Sequence, residues 1–238
     1  MKSQLNRKKR KEIKLLVRQG YKHLKAQEFG IAFHYFNRAC TIANHQDGEV
    51  FAHLGYCLHE MGDDVRAVEN YKIALKLIKN RNRHAHVYFQ LGVCQNELDE
   101  TTLAIESFEK GLEIEPHHAP AYISLATFYQ ILGNADKMEQ AARRAVEIDP
   151  SIPTAHNSLG SALLIKEKFA EAKICFETAS KLDKDEIISF HYFAVACTGL
   201  EQWGQALSAV THVLETYPNY TPSLNLRKRL YPMIAHLN

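Results

Sequence analysis

Histidine, cysteine and serine are the side chains here that could serve as metal ligands, bases or nucleophiles. Their spacing suits none of these roles. Of the thirteen histidines, His84 and His86 lie two apart, which turns them to different sides of a helix. His53 and His59 are six apart, not the four that lets two imidazoles on one helix face share a metal. His117 and His118 are adjacent in a loop. The serines of Asn157-Ser158-Leu159-Gly160-Ser161 lie in a helical stretch, without the strand–turn–helix of a nucleophile elbow. No Gly-rich phosphate loop, His-Glu-x-x-His or Cys-x-x-Cys occurs. The expectation is a non-enzymatic chain with no cofactor, no metal and no small-molecule substrate.

What remains is binding chemistry, and its scaffold is a repeat. Small residues recur at intervals of 34 to 37 residues: Gly20, Gly55, Gly92, Ala126, Gly160 and Ala194. Twelve residues after each stands Ala32, Ala67, Ala104, Met138, Ala172 or Ala206. Four further on come Phe36, Tyr71, Phe108, Ala142, Phe176 and Val210, and three beyond those Ala39, Ala74, Gly111, Ala145, Ala179 and Val213. Pro116, Pro150 and Pro218 close three of the units. A period of this length marks stacked copies of one supersecondary unit. Within a unit the apolar spacing is helical twice over, as in Tyr88, Leu91, Gly92 and Gln95 followed by Leu103, Ala104, Phe108, Gly111 and Leu112. Short polar turns such as Leu132-Gly133-Asn134-Ala135-Asp136 separate the stripes. Two antiparallel helices approach closely only where side chains are small, so a Gly or Ala on the first should face the second, with an aromatic ring filling the space beside it.

The pattern resembles the tetratricopeptide repeat family: Tyr88–Leu91–Gly92–Ala104–Phe108–Pro116 follows its signature, as do Phe51–Leu54–Gly55–Ala67–Tyr71–Ala74 and Tyr122–Leu125–Ala126–Tyr129–Ala145–Pro150. Six copies are expected, at 13–46, 48–81, 85–118, 119–152, 153–186 and 187–220. A basic extension (1–12) precedes them and a capping helix (221–238) follows. The fourth copy departs most, with Met138 and Ala142 in place of Ala and an aromatic ring, and reads as the softest point. The resemblance implies an all-α, right-handed superhelical solenoid of antiparallel helix hairpins, acting as an adaptor, scaffold or chaperone-like module. First helices would line a concave groove that takes an extended or helical peptide segment of a protein client.

Helical phase gives that groove Tyr21, His53, Tyr56, His59, His86, Phe89 and Gln90 in the first three copies, and Thr127, Asn157, Ser161, His191 and Tyr192 in the last three. Tyr21, Tyr56 and Phe89 are the expected anchors, since aromatic rings carry much of the energy at interfaces. Relatives that clamp a terminal carboxylate use two Lys, two Asn and an Arg. The matching positions here hold Val17, Tyr21, Tyr56, His86 and Gln90, so that mode is not expected.

Charge is uneven. The formal net charge is +2, yet Lys2–Lys14 carries seven Lys or Arg against Glu12 alone. This head could meet an anionic partner, membrane or nucleic acid, which is the alternative function: a targeting or regulatory arm. The plainer expectation is a solvated, frayed start. No apolar core follows the basic cluster, as a secretory signal would require. The odd cysteine count shows no framework spacing. Both point to reduced thiols and a cytoplasmic setting.

Overall fold

The computed structural model describes the backbone of residues 2–235 and the side chains of residues 7–235. Every regular element among them is helical, and they divide into two compact units, Met1–Pro116 and His117–Asn238. In the first unit α1 (Lys2–Lys25) pairs with α2 (Phe29–Ile42), and α3 (Gly48–Glu60) with α4 (Asp64–Leu77). After a short 3₁₀ turn at Arg81–Arg83, α5 (His84–Glu97) pairs with α6 (Thr101–Leu112). In the second unit the pairs are α7 (Ala119–Ile131) with α8 (Ala135–Ile148), α9 (Pro153–Ile165) with α10 (Phe169–Leu182), and α11 (Ile187–Gly199) with α12 (Trp203–Thr216). A single helix, α13 (Thr221–Ala235), ends it.

The small residues do what their spacing demands. A Cβ placed on Gly20, Gly55, Gly92 or Gly160 would come within 2.7, 2.9, 2.5 or 2.7 Å of the ring of Phe36, Tyr71, Phe108 or Phe176. Each ring packs against the bare backbone of the helix before it, and all four are buried. Where the ring is missing, at Ala142, the long side chain of Met138 is sealed in the core instead. In the last hairpin Val210 takes the ring's place and is fully buried.

The turn inside each hairpin repeats as closely as the core does. Gln27, Gly62, Asp99, Gly133, Glu167 and Glu201 all have left-handed backbone, with φ between 56° and 79°. All six lie seven residues after the small marker. The next N–H reaches back five residues in every copy: Glu28 to His23, Asp63 to Leu58, Glu100 to Gln95, Asn134 to Tyr129, Lys168 to Leu163 and Gln202 to Cys197. This is the Schellman closure that satisfies the last carbonyls of a helix. Glycine takes that conformation without strain, and the sequence supplies it only at Gly62 and Gly133.

Helix starts use side-chain caps where the chain offers them. Asp47 accepts from the N–H groups of Glu49 and Val50, and Asp63 from Arg66. Asn134 accepts from Lys137, and Pro120 and Pro153 occupy first-turn positions. In the second unit Glu139 on α8 ties three cations: Arg143 at 2.7 Å, Lys166 at 2.9 Å and Lys168 at 3.3 Å. Hydrogen bonds, that from Lys166 foremost, hold its carboxyl down at about 2.

One feature of the ends differs from expectation. The basic head is helical: α1 starts at Lys2, so Arg7, Lys8, Lys9 and Arg10 are exposed on turns continuous with the first hairpin. At the other end Leu226 and Leu230 on α13 are buried, and Pro232 lies inside that helix. The last three residues of the expected cap, 236–238, lie outside the described residues.

Candidate functional site: a concavity between two first helices

In the first unit, α3 and α5 are successive first helices, and a hollow of about 550 Å³ lies between them. It is lined by His53 and Tyr56 from α3 and by His86 and Gln90 from α5, with Glu49 and Arg83 at one end. These side chains come from the same turns of two helices whose hairpins pack in register. That is why residues more than thirty apart in sequence share one wall. Arg83 and Glu49 form an ion pair at 2.7 Å. Tyr21, from α1, joins through His53, whose Nε2 bonds its hydroxyl, while the His53 ring also lies 5.0 Å from that of Phe36. Burial pushes the His53 imidazole below its ordinary value, which favours the neutral ring. Burial raises the Tyr21 and Tyr56 phenols, and Glu60 adds to the rise at Tyr56 by accepting a hydrogen bond from it.

Tyr71 forms part of this lining from below. Its ring plays the core role that phenylalanine plays at Phe36, Phe108 and Phe176. The extra hydroxyl is buried and has no hydrogen-bond partner among the described residues. A buried O–H without a partner costs roughly 1–3 kcal/mol. Sequence reasoning assigned the ring and overlooked the oxygen. The signal was there, since Tyr71 is the one phenol at a position otherwise filled by Phe, Ala or Val.

Other expected groove residues lie elsewhere. His59 is not part of the hollow's lining and bonds Asp64 at 2.6 Å. Phe89 is a core ring, 7% exposed. A Cβ on Gly111 would come within 2.3 Å of the Phe89 ring, so the ring fills the notch left by glycine at a place where other copies carry Ala or Val. In the second unit Thr127 is exposed, and its hydroxyl donates to the Ile123 carbonyl. Asn157 is half-buried and committed: its amide donates to Glu186 at 2.6 Å and accepts from Ser189 at 3.0 Å. Ser161 is half-buried. His191 is buried, bonded to Ser223 of α13 at 2.9 Å, and so braces the terminal helix. Tyr192 is exposed and stacks on Phe176, centroids 5.5 Å apart.

Two arrangements escaped the sequence. A hollow of about 650 Å³ in the second unit is floored by Phe190, Phe193 and Ala209 and edged by Lys181, Lys184 and His212. None of these stands at an expected groove position. In the first unit, His59, Asp64 and Cys94 bring an imidazole nitrogen, a carboxylate oxygen and a sulfur within 4.8 Å of one another. The five cysteines are all buried and unpaired. No described helix is long and apolar enough to cross a membrane.

The tetratricopeptide-repeat family model matches residues 85–118, 119–152 and 153–186. Among solved structures, PilF of Pseudomonas aeruginosa superposes with a TM-score of 0.78 at 13% identity, covering 93% of this chain and 99% of that one. YrrB, described as a TPR protein with an unusual peptide-binding site, gives 0.69 at 21% identity over 81% and 97%. MamA of Desulfovibrio magneticus RS-1 gives 0.66 at 24% identity over 74% and 97%. These likenesses are of fold. Three consecutive copies, residues 85–186, are matched in sequence, and two ring-on-glycine hairpins precede them, so that stretch consists of tetratricopeptide repeats.

Proposed function

We propose that the chain is a non-catalytic protein-interaction module and that the α3–α5 hollow holds a peptide segment of its client. One observation carries the reading: His53, Tyr56, His86 and Gln90, drawn from two hairpins, converge on a single hollow above an unsatisfied hydroxyl. Aromatic surface and amide or imidazole hydrogen bonding together suit a polypeptide, whose backbone offers a donor and an acceptor at every residue. The scaffold is already ordered, so little ordering cost falls on this side of the complex. YrrB, similar in fold, is described as having a peptide-binding site, which supports the class of ligand but not its place here. Tyr21, at the edge of the hollow, extends the contact surface toward α1.

The test is selection of peptides from a random display library on the immobilised chain, followed by affinity measurement with Tyr56→Ala and Gln90→Ala. The expected outcome is at least one peptide bound more than tenfold more weakly by the Tyr56→Ala variant. Selected peptides that bind all variants equally would refute the site.

A second reading is favoured by one feature, the exposed row Arg7 to Arg10 on a formed helix. It makes the N-terminal turns an arm for an anionic surface. Binding to anionic vesicles or nucleic acid that weakens steeply with salt, and is lost on removing residues 2–11, would identify it. Binding unchanged by that deletion would exclude it.

A further inference from the structure

We infer that His59, Asp64 and Cys94 form a binding site for a borderline-soft divalent ion of the zinc type. His59 lies in the last turn of α3, Asp64 opens α4, and Cys94 comes from α5 in the next hairpin. His59 Nδ1 and Asp64 Oδ1 are 2.6 Å apart, and the Cys94 sulfur is within 4.8 Å of both. A tetrahedral ion with Zn–N and Zn–O bonds near 2.0–2.2 Å and a Zn–S bond near 2.3 Å sets its ligand atoms about 3.3–3.7 Å apart. Reaching that geometry requires the His59–Asp64 contact to open by less than about 1 Å and the sulfur, now up to 4.8 Å away, to be approached by about 1 Å. Both side chains lie beside the α3–α4 turn and are partly exposed, at 22% and 15%, so they have room to move. Cys94 is fully buried. Three protein ligands would leave a fourth position toward solvent. Imidazole, thiolate and carboxylate together select zinc or cobalt over magnesium or calcium, which take oxygen ligands.

A plainer explanation covers part of the cluster. Asn96 and Thr101 stand at the same repeat positions as His59 and Asp64 and touch across the next turn at 3.3 Å, so a side-chain brace five residues long is a habit of this fold. That brace needs no sulfur, although the Cys94 thiol also hydrogen-bonds Asp64. Cys57 holds the same repeat position as Cys94, yet joins no such group among the described residues. Among the described residues, imidazole, carboxylate and thiol come together at the α3–α4–α5 junction alone. On binding, the Cys94 thiol would lose its proton to solvent and the ion would staple the second hairpin to the third.

The experiment is cobalt(II) titration of the full-length chain, reduced and free of chelator, followed by absorption and by competition with zinc. The expected result is a thiolate-to-cobalt charge-transfer band with tetrahedral d–d bands, abolished by zinc. The bands should persist in Cys57→Ala and vanish in Cys94→Ala. Cobalt affinity should fall at least tenfold in His59→Gln, which keeps a side chain able to bond Asp64. Zinc should raise the thermal midpoint of the wild type and not that of Cys94→Ala. No charge-transfer band in the wild type, or one equally strong in Cys94→Ala, would overturn the site. Should Cys94→Ala fail to fold, the partly exposed ligands decide: wild-type cobalt affinity in both His59→Gln and Asp64→Asn would overturn it too.

Discussion

Tyr71 concentrates the tension between core and site. Its ring must be large to cover Gly55, but its hydroxyl contributes nothing to that packing and is left without a partner among the described residues. Tyr71→Phe should therefore raise stability toward denaturant, by roughly 1–3 kcal/mol if the whole penalty is recovered. If the oxygen is kept for a ligand, the same variant should bind selected peptides more weakly. Unchanged stability would mean that the hydroxyl is satisfied in solution. At this scale the sequence was readable where one residue type has one job, as with the glycines and the rings that cover them. It misled where a neighbour altered that job. Phe89 has the helical phase of a groove anchor, yet Gly111 opens a notch that takes the ring inside. His191 has the same phase but is claimed by Ser223 of a later helix. Neither partner is adjacent in sequence.

Hairpins are the next scale, and their ring-on-glycine packing can be measured. Phe176 is fully buried, lies on Gly160 and stacks on Tyr192. Phe176→Ala should cost about 3–5 kcal/mol in chemical denaturation, and a loss below about 1 kcal/mol would contradict the packing. The turns make a separate prediction. Gly62 sits at φ 79° with no neighbour crowding a Cβ, so Gly62→Ala tests backbone strain alone. It should destabilise by roughly 1 kcal/mol, with no change in peptide binding. Four of the six left-handed turn positions are Gln, Asp or Glu, so this feature was visible in the sequence only at Gly62 and Gly133. The turn is imposed by the closure of the preceding helix, not by residue choice.

Across the whole molecule, the repeat made the fold legible because one hairpin pattern is written six times, four of them with a ring on glycine. The sites were less legible because they arise between copies. The His59–Asp64–Cys94 cluster spans two hairpins, and no spacing rule on one helix would find it. The α3–α5 hollow could be sketched from helical phase, but its floor could not. Ion pairing within the second unit gives a pH signature. Glu139 sits at about 2, against an ordinary 4.5, so its ion pairs stabilise the fold fully above the ordinary value. That contribution is lost as pH falls from about 4.5 toward 2. Stability measured across this window should fall more steeply for the wild type than for Glu139→Gln, and parallel curves would show that the pairs contribute nothing.

The most direct test of the binding claim is hydrogen exchange on the chain with and without a selected peptide. If the peptide lies in the hollow, new protection should concentrate in α3 and α5, around His53 to Tyr56 and His86 to Gln90, and disappear with Tyr56→Ala. Protection confined to the second unit, or an unchanged pattern with Tyr56→Ala, would contradict it.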